Sequence, residues 1–485
     1  MTKAKDHGTD IYDVVVIGAG STGENVADRA VKGGLSAVVV EAELVGGDCS
    51  YWACMPSKAL LRPGHAIAAA RRVDGARQAV TGALDVAGVL DRRDGFASRW
   101  DDAGQVGWLE GAGIDLVRGH GRLAGERHVD VRSADGTRVL TARHAVVVAT
   151  GSSPALPPVP GLVEAEPWTT KDATAAKEPP GRLVVLGGGV AGCELSQAWA
   201  SLGSAVTVLE MADRLLPAYE PVAGQLLAEA MNEAGIDVRL GVTATGAERR
   251  PDGAVVVRLA DGAEVEADQQ VEADQLLVAA GRRARTEDLG LESVGLEPGA
   301  WLTVDDTMAV VAVPGDWLYA AGDVNHRVLL THQGKYQARI CGDAIAARAH
   351  GRLDPAAWGP HAATADHRAV PQVVFTDPEI ASVGLREVEA AEAGVSVRVV
   401  DYPLGQVAGA ALYADGYRGH ARLVVDEDRR VVVGATFVGP DAGELLHAAT
   451  IAVVGEVPLD RLWHAVPSYP TISEVWLRLL EAYGL

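Results

Sequence analysis

Two cysteines lie close together near the beginning of the chain. Cys49 and Cys54 are separated by four residues in GGDCSYWACMPSK, and they are two of only four cysteines among 485 residues. A pair this close can form a redox-active dithiol, supply half of a zinc site, or be buried as two structural thiols. A zinc site needs further ligands, and Cys193 and Cys341 lie in other motifs without paired spacing. We therefore predict no metal site.

The pair follows a pattern that is typical of a dinucleotide-binding βαβ unit. The run YDVVVIGAG predicts a strand that ends in the glycine turn Gly18-Ala-Gly20-Ser-Thr-Gly23, followed by a helix and a second strand that ends at Glu41. The glycines permit a tight turn, a close approach of a pyrophosphate and close helix packing, while the acid accepts hydrogen bonds from a ribose. A glycine turn without a ligand is the alternative, but the full pattern favours a dinucleotide site.

A second copy of the pattern occurs in RLVVLGGGVAGCELSQAWASLGSAVTVLEMADR. Its glycines are Gly187, Gly189 and Gly192, and its acid is Glu210. A carboxylate at that position favours a free ribose 2′-hydroxyl over a 2′-phosphate, so we predict NADH, while Arg214 nearby leaves NADPH possible. Two sites in one chain indicate a bound flavin and a diffusing nicotinamide. A duplicated fold with one inactive site is the alternative.

The composition excludes several classes of function. The formal net charge is −22 and no long basic run offsets it, which argues against a nucleic-acid binder because the phosphate backbone would be repelled. The longest apolar runs have the length of strands, so no membrane span is predicted. The first ten residues are polar, so we expect no secretory signal and a cytoplasmic location.

The order of these patterns predicts a multi-domain α/β protein. Residues 144–161 (HAVVVATGSSPALPPVPG) predict a strand that ends in a Pro/Gly/Ser-rich boundary. The later run WLYAAGDVNHRVLL suggests a return of the chain to the first domain. After about residue 355 the pattern changes to that of an α+β domain with an antiparallel sheet.

From YDVVVIGAGSTG to PTISE the chain resembles the flavoprotein disulfide reductases, which include dihydrolipoamide dehydrogenase and glutathione, mycothione and mercuric reductases. The resemblance implies two Rossmann-like dinucleotide-binding domains plus a C-terminal α+β dimerisation domain. It places an FAD-binding domain at residues 1–160, an NAD(P)H-binding domain at 161–285, an FAD-binding return segment at 286–355 and the dimerisation domain at 356–485. It also implies a homodimer, in which the partner's C-terminal segment completes the active site, and a small-molecule electron acceptor.

The resemblance assigns roles to matching positions. The FAD ligands that it implies are Gly18, Gly20, Gly23, Glu41, Gly47, Asp48, Lys58, Gly121, Thr150, Gly151, Asp323, Leu329, Leu330, Thr331 and His332. The NAD(P)H ligands that it implies are Gly187, Gly189, Gly192, Glu194, Glu210 and Gly281. The catalytic residues that it implies are Cys49, Cys54, Lys58, Glu194, Tyr469 and Glu474.

The resemblance also implies a route for electrons. A hydride would pass from the nicotinamide to the flavin, and the flavin would reduce the Cys49–Cys54 disulfide. Cys54 would be the flavin-proximal thiolate and Cys49 the thiol that attacks the substrate. The thiolate is the reactive form, so we expect a lowered thiol pKa, supplied by the flavin and a neighbouring cation. Lys58 and Glu194 would form an ion pair beside the flavin, because a buried lysine is costly without a partner.

The chain departs from this family at the C-terminal segment. Disulfide-reducing members have His-Pro-Thr-x-x-Glu, whereas this chain has Tyr469-Pro-Thr-Ile-Ser-Glu474. Tyrosine is a poor base at neutral pH, where histidine titrates. His464 is an alternative acid/base, but the intervening prolines do not favour it. Mercuric reductase is similar in placing a tyrosine here, yet its C-terminal cysteine pair is absent from this chain, which has no cysteine after Cys341.

Three functions follow as hypotheses. The first is an FAD-dependent NAD(P)H oxidoreductase that reduces a small disulfide, with Tyr469 or solvent as the proton donor. The second is a quinone or metal-ion reductase that uses the flavin more directly. The third is a redox-sensing flavoprotein with little turnover, which the nicotinamide fingerprint, Lys58 and Glu194 argue against.

Overall fold

The computed structural model describes residues 10–261 and 269–485. The first nine residues, which contributed to the expectation of no secretory signal, lie outside the described residues. The described chain divides into two compact units. Unit 1 comprises residues 10–54, 96–153 and 282–366, and unit 2 comprises residues 55–95, 154–261, 269–281 and 367–485.

The described chain contains the following strands and helices in sequence order. The strands are β1 (Asp10–Ile17), β2 (Ala37–Glu41), β3 (Asp115–Arg118), β4 (His120–Leu123), β5 (His128–Ser133), β6 (Gly136–Val148), β7 (Ser152–Pro154), β8 (Arg182–Leu186), β9 (Ala205–Leu209), β10 (Asp237–Arg239), β11 (Val242–Arg249), β12 (Val255–Asp261), β13 (Gln269–Ala273), β14 (Gln275–Val278), β15 (Arg282–Ala284), β16 (Leu318–Ala320), β17 (Gln372–Val374), β18 (Glu379–Gly384), β19 (Val397–Pro403), β20 (His420–Asp426) and β21 (Val431–Gly439). The helices are α1 (Ser21–Lys32), α2 (Gly47–Tyr51), α3 (Cys54–Arg71), α4 (Val86–Phe96), α5 (Ala103–Gly111), α6 (Thr170–Ala175), α7 (Val190–Ser201), α8 (Pro221–Glu233), α9 (Thr331–Ala349), α10 (Glu387–Glu392), α11 (Ala408–Tyr413), α12 (Leu446–Val454), α13 (Leu459–Leu462) and α14 (Val475–Tyr483).

Unit 1 is built on a sheet with the strand order β3-β2-β1-β6-β5-β4, and β16 also pairs with β6. Strands β3, β2, β1, β6 and β16 are parallel to one another, while β5 pairs antiparallel with both β6 and β4. The central strands β1, β2 and β6 each contain consecutive buried valines, as expected for strands that are covered on both faces. Helix α1 lies close to α9, where a side chain on Gly342 would meet the backbone oxygen of Val26 at 2.7 Å. This sheet presents the carboxyl ends of β1 and β2 at one edge.

Unit 2 contains three separate sheets. The strands β10-β9-β8-β14 form a parallel sheet, and β11-β12-β13 form an antiparallel one. The strands β17-β18-β21-β20-β19 form the antiparallel C-terminal sheet. Two parallel βαβ units and a C-terminal antiparallel sheet confirm the predicted fold class. The domain boundaries at residues 160, 285 and 355 remain a prediction.

Candidate functional site

A large cleft opens in unit 1 at the carboxyl edge of its parallel sheet. Its volume is about 600 Å³. It is lined by many of the residues that the sequence assigned to FAD, together with both cysteines of the pair: Gly18, Gly20, Glu41, Gly47, Asp48, Cys49, Cys54, Gly121, Thr150, Gly151, Asp323, Leu329, Leu330 and Thr331. Two further candidates lie elsewhere in unit 1. Gly23 packs inside the glycine turn, and His332 follows Thr331 in the first turn of α9 with its side chain exposed.

The three glycines of the turn that joins β1 to α1 are needed for different structural reasons. Gly18 has a φ of +99°, and a Cβ there would lie 2.5 Å from the backbone oxygen of Ala149. A Cβ on Gly23 would lie 1.9 Å from the backbone oxygen of Gly18. Gly20 is different, since a Cβ there would find its nearest neighbour at 3.8 Å. Gly18 and Gly23 are therefore required by the fold, whereas Gly20 leaves open space for a ligand.

Glu41 ends β2 and its carboxylate is fixed by the main chain. It accepts hydrogen bonds from the backbone N–H groups of Ala19 and Glu43, both at 2.7 Å. Burial raises the pKa of the Glu41 carboxyl above its ordinary value, and the backbone hydrogen bonds oppose that effect. The carboxylate is thus held beside the glycine turn, where a ribose hydroxyl can donate to it.

The residues of the cleft fit an FAD molecule. The Thr150 hydroxyl oxygen is buried and has no hydrogen-bond partner among the described residues, so a ligand can satisfy it. Two guanidinium groups, those of Arg282 and Arg285, line the cleft and lie 3.6 Å and 3.5 Å from the Asp48 carboxylate. Arg282 also lies 3.7 Å from Asp323. Cations, an open glycine and an unpartnered hydroxyl form a donor set that suits a dinucleotide pyrophosphate.

The cysteine pair lies at the junction of α2 and α3. Cys49 is in α2, and Cys54 is the first residue of α3. The sulfur of Cys54 lies 3.3 Å from the hydroxyl oxygen of Thr331, the first residue of α9. Cys49 is hydrogen bonded to Cys54, and this bond together with burial raises the pKa of the Cys49 thiol far above its ordinary value, while the cation of Lys335 lowers it.

The lowering that we expect from a bound flavin stays a prediction, and what the structure shows is a raised pKa of the Cys49 thiol. Its physical reason is local, because a thiol that donates to a neighbouring sulfur and lies out of water resists ionisation. The dithiol therefore keeps a proton on Cys49. The sequence pattern alone gave no sign of this, since it specifies the spacing of the cysteines but not their mutual hydrogen bond.

The glycine turn of unit 2 repeats the geometry of the turn in unit 1. Gly187 has a φ of +109°, and a Cβ on Gly192 would lie 1.9 Å from the Gly187 backbone oxygen. A Cβ on Gly189 would have open space. Glu210 accepts hydrogen bonds from the backbone N–H groups of Gly188 at 2.6 Å and Ala212 at 2.7 Å. The internal repeat seen in the sequence therefore extends to the hydrogen bonds of the acid.

Two more residues that the sequence analysis named for the nicotinamide site, Arg214 and Gly281, also lie in unit 2. Arg214 donates to the backbone oxygen of Pro217 at 3.2 Å and lies 3.4 Å from Asp213, and its buried Nε has no hydrogen-bond partner in the described ranges. Gly281 is the last residue of a segment of unit 2. It has a φ of +140°, and an added Cβ would have open space. Only glycine adopts such a backbone conformation readily.

Lys58 and Glu194 form the ion pair that the sequence predicted. The Lys58 ammonium lies 2.6 Å from Glu194 Oε2, and Glu194 is buried while Lys58 is half-buried. The second oxygen, Oε1, accepts the backbone N–H of Phe375 at 2.9 Å. The Phe375 ring faces the ammonium at 4.9 Å from its centroid. The sequence analysis missed Phe375, whose only signal was its place in the run VPQVVFTDPE.

The C-terminal segment presents its tyrosine to solvent. Tyr469 is 75% exposed, and His464 is also exposed. Glu474 is buried, with one oxygen bound to Arg478 at 2.6 Å and the other unpartnered among the described residues. The structure does not join Tyr469 and Glu474 by a hydrogen bond within the described chain.

The described residues hold no group of three or more His, Cys, Asp or Glu side chains arranged to bind a metal ion. No helix in the described ranges is both long and apolar enough to cross a membrane.

Comparison with known proteins identifies the family. Residues 12–348 match the model of pyridine nucleotide-disulphide oxidoreductases, and residues 370–479 match the dimerisation domain of the same family. The chain is 34% identical to a dihydrolipoyl dehydrogenase of Thermus scotoductus over 97% of each chain. It is 33% identical to a mercuric reductase of Staphylococcus aureus, over 96% of this chain and 81% of the relative.

Solved structures share the fold. A crystal structure of LpdA from Mycobacterium tuberculosis has a TM-score of 0.82 and 26% identity, covering 98% of this chain and all of the other. The HOCl-induced flavoprotein disulfide reductase RclA from Escherichia coli has a TM-score of 0.80 at 24% identity, covering 97% and 99%. At that identity the second likeness is one of fold alone. The matched dimerisation domain indicates a homodimer. The chain belongs to the pyridine nucleotide-disulphide oxidoreductase family, and it is an FAD-dependent NAD(P)H disulfide oxidoreductase.

Proposed function

We propose that this enzyme passes electrons from NADH through FAD to the Cys49–Cys54 pair and on to a small disulfide. The observation that carries the proposal is that both cysteines line the same cleft as the residues assigned to FAD. Bound FAD supplies the chemistry of accepting a hydride from a nicotinamide and delivering two electrons to a disulfide. Family membership does not favour the quinone or metal-ion reductase, or the redox sensor, as the main function.

In this proposal the cysteines have separate tasks. Cys54 lies at the start of α3 with its sulfur 3.3 Å from the Thr331 hydroxyl, which can donate to a thiolate. Cys49 attacks the substrate disulfide and holds its proton until that step, since its hydrogen bond to Cys54 raises its pKa. Lys335 is the cation whose field favours ionisation of Cys49.

The cofactor is held by the chain's own polar groups. Glu41 accepts from a ribose, the open space at Gly20 admits the pyrophosphate, and Thr150 donates its unpartnered hydroxyl. Arg282 and Arg285 offset negative charge next to Asp48. Together with Gly18, Gly23 and the other implied ligands, these residues define the FAD site. Arg282 and Arg285 directly precede residue 286, where we place the start of the return segment of the FAD domain (1–160 and 286–355).

NADH is the proposed electron donor. Glu210 is fixed by the N–H groups of Gly188 and Ala212, so its negative charge cannot turn away from an incoming 2′-phosphate. Arg214 is already engaged with Asp213 and Pro217. The NAD(P)H site therefore lies at the carboxyl end of β8, in the domain that we place at residues 161–285, with the interface domain at 356–485.

A second copy of the chain is proposed to complete the active site. Tyr469 is largely exposed within one chain and lies in the matched dimerisation domain, at the position where the family resemblance implies an acid/base residue. Its hydroxyl, or water, would protonate the leaving thiol of the substrate. We place the reaction in the cytoplasm, where NADH is regenerated.

Anaerobic titration with NADH and with NADPH tests the proposal. We expect NADH to reduce the enzyme faster and to produce a long-wavelength absorbance band from the Cys54 thiolate next to the flavin. We expect Cys49→Ser to show that band without added NADH and to lose turnover with lipoamide, glutathione disulfide or mycothione. Cys54→Ser should lack the band altogether.

Cys341→Ala is the matched control, because it removes a buried thiol of α9 that does not line the cleft. It should retain both the band and the turnover. Full disulfide reductase activity in Cys49→Ser would refute the role of the pair. If the enzyme reduces quinones or metal ions but no disulfide, the proposal is wrong and the second hypothesis, a quinone or metal-ion reductase, is supported instead.

A further inference from the structure

The segment Phe375–Asp377 follows β17 and is bound directly to the two helices that carry Lys58 and Glu194. Glu194 lies on α7 and Lys58 on α3. The Phe375 N–H donates to Glu194 Oε1 at 2.9 Å, which is the oxygen that Lys58 does not use. The carboxylate therefore bridges a side-chain cation and the main chain of the segment.

Gln197 fixes the other end of the same segment. It follows Glu194 by three residues, so both side chains lie on one face of α7. Its amide donates to the backbone oxygen of Asp377 at 2.9 Å and accepts the Asp377 N–H at 2.7 Å. These two hydrogen bonds hold the main chain of Asp377 as a neighbouring β-strand would. Helix α7 thus makes three hydrogen bonds to the main chain of a three-residue segment.

Helix α3 holds the segment as well. Arg72, directly after α3, donates to the Asp377 carboxylate at 2.5 Å. The Phe375 ring faces the Lys58 ammonium at 4.9 Å, within the range of a cation–π interaction. The ring is 38% exposed, so its contact with Lys58 is not explained by core packing alone. The ion pair is therefore enclosed by a segment that belongs to the matched dimerisation domain, whose range is 370–479.

We propose that Phe375 and Gln197 are positioning residues for the Lys58–Glu194 pair. Gln197 holds the segment in place through its two hydrogen bonds to the main chain of Asp377. The Phe375 ring then orients the Lys58 ammonium, and the Phe375 N–H orients the Glu194 carboxylate. This inference rests on the proposed function, in which the pair acts on the flavin. It explains why Glu194 can be buried, because both of its oxygens receive a hydrogen bond. It also makes a segment of the matched dimerisation domain part of the electrostatic environment of the ion pair.

The test measures the midpoint potential of bound FAD and the steady-state kinetics of the purified holoenzyme. Lys58→Met tests the proposed function itself, since loss of the cation should move the potential to more negative values. Phe375→Leu should move the potential in the same direction by a smaller amount. It should also lower kcat by about two- to fivefold, which is the cation–π energy at a partly exposed site expressed as a rate, with the KM for NADH unchanged.

Further variants separate positioning from folding. Phe375→Tyr keeps the ring and should restore the wild-type potential, while Gln197→Leu should shift it as Phe375→Leu does. Phe96→Leu is the matched control, because it alters another exposed phenylalanine, 46% exposed, outside the segment. FAD content and melting temperature report whether each variant is folded.

The outcomes distinguish the two proposals. If Lys58→Met leaves the potential unchanged, the role of the ion pair in the proposed function fails. If Lys58→Met shifts the potential while Phe375→Leu and Gln197→Leu match the wild type, the positioning inference is overturned. A Phe375→Tyr variant that behaves like Phe375→Leu would also overturn it, since the ring would then have no effect on the ammonium.

Discussion

Replacement of Glu24 by glutamine should make the enzyme more stable at alkaline pH. Glu24 directly follows the first glycine turn, is 7% exposed, and its Oε1 atom has no hydrogen-bond partner in the described part of the chain. Burial raises its pKa to about 7, Lys335 lowers it, and Glu41 raises it further. Ionisation of Glu24 therefore places a charge in a buried site where Oε1 receives no hydrogen bond from the described residues.

The sign and size follow from linkage. Because the pKa is raised in the folded state, the stability that protonated Glu24 contributes is fully present below the unfolded-state pKa near 4.5 and is lost as the pH rises through about 7. A difference of about 2.5 pKa units corresponds to about 3 kcal/mol at 1.36 kcal/mol for each unit. Glutamine stays neutral at every pH, so Glu24→Gln should exceed the stability of the wild type by no more than about 1 kcal/mol at pH 5 and by up to about 3 kcal/mol at pH 8.5.

The assay is thermal and urea unfolding of the holoenzyme in excess FAD at pH 5, 6, 7 and 8.5, followed by tryptophan fluorescence. Glu110→Gln is the control, because Glu110 is an exposed carboxylate of the same unit. Its effect on unfolding should not depend on pH in this range. A stability difference between Glu24→Gln and the wild type that stays constant from pH 5 to pH 8.5 would contradict the reasoning.

Three further predictions concern the nucleotides and the proton. Gly20→Ala should fold, because the added Cβ has open space, but it should bind FAD more weakly. Gly23→Ala should fail to fold, because its Cβ would lie 1.9 Å from a backbone oxygen. FAD content and circular dichroism distinguish the two results. Glu210→Gln should raise the ratio of kcat/KM for NADPH to that for NADH by about tenfold or more, as repulsion of a 2′-phosphate is removed, and an unchanged ratio would show that Glu210 does not select the donor. Tyr469→His should add a pH dependence near 6.5 to disulfide reduction, and an unaltered pH profile would show that this segment does not protonate the substrate.

Local constraints made the nucleotide sites predictable from the sequence. The positive φ of Gly18 and Gly187 and the close packing of Gly23 and Gly192 act within one turn, so glycine spacing reports them directly. The acids Glu41 and Glu210 end the next strand, where a fixed βαβ geometry places them. The predicted Lys58–Glu194 pair joins residues 136 positions apart, but it came from the family resemblance rather than from any local rule.

The contacts that the sequence did not predict depend on distant packing. Phe375 reaches Glu194 across 181 positions, and neither residue type carries a signal for the other. Arg285 and Asp48 meet because β15 returns beside the cleft, which no pattern of charges specified. The raised pKa of Cys49 likewise depends on burial and on its hydrogen bond to Cys54.

The position of that proton bears on Tyr469, where the family resemblance implies a histidine. Reduction of a disulfide by a dithiol breaks one S–S bond and forms another, and the two product thiols need two protons in total. A Cys49 thiol that keeps its proton brings one of these two protons to the reacting sulfur atom. When Cys49 ionises in order to attack, this proton is released as the substrate thiolate forms. The chain then needs a group that relays this proton over a short distance, rather than a base that titrates near neutral pH. The hydroxyl of Tyr469, or a water molecule, meets that lesser requirement, so replacement of histidine by tyrosine is compatible with disulfide reduction.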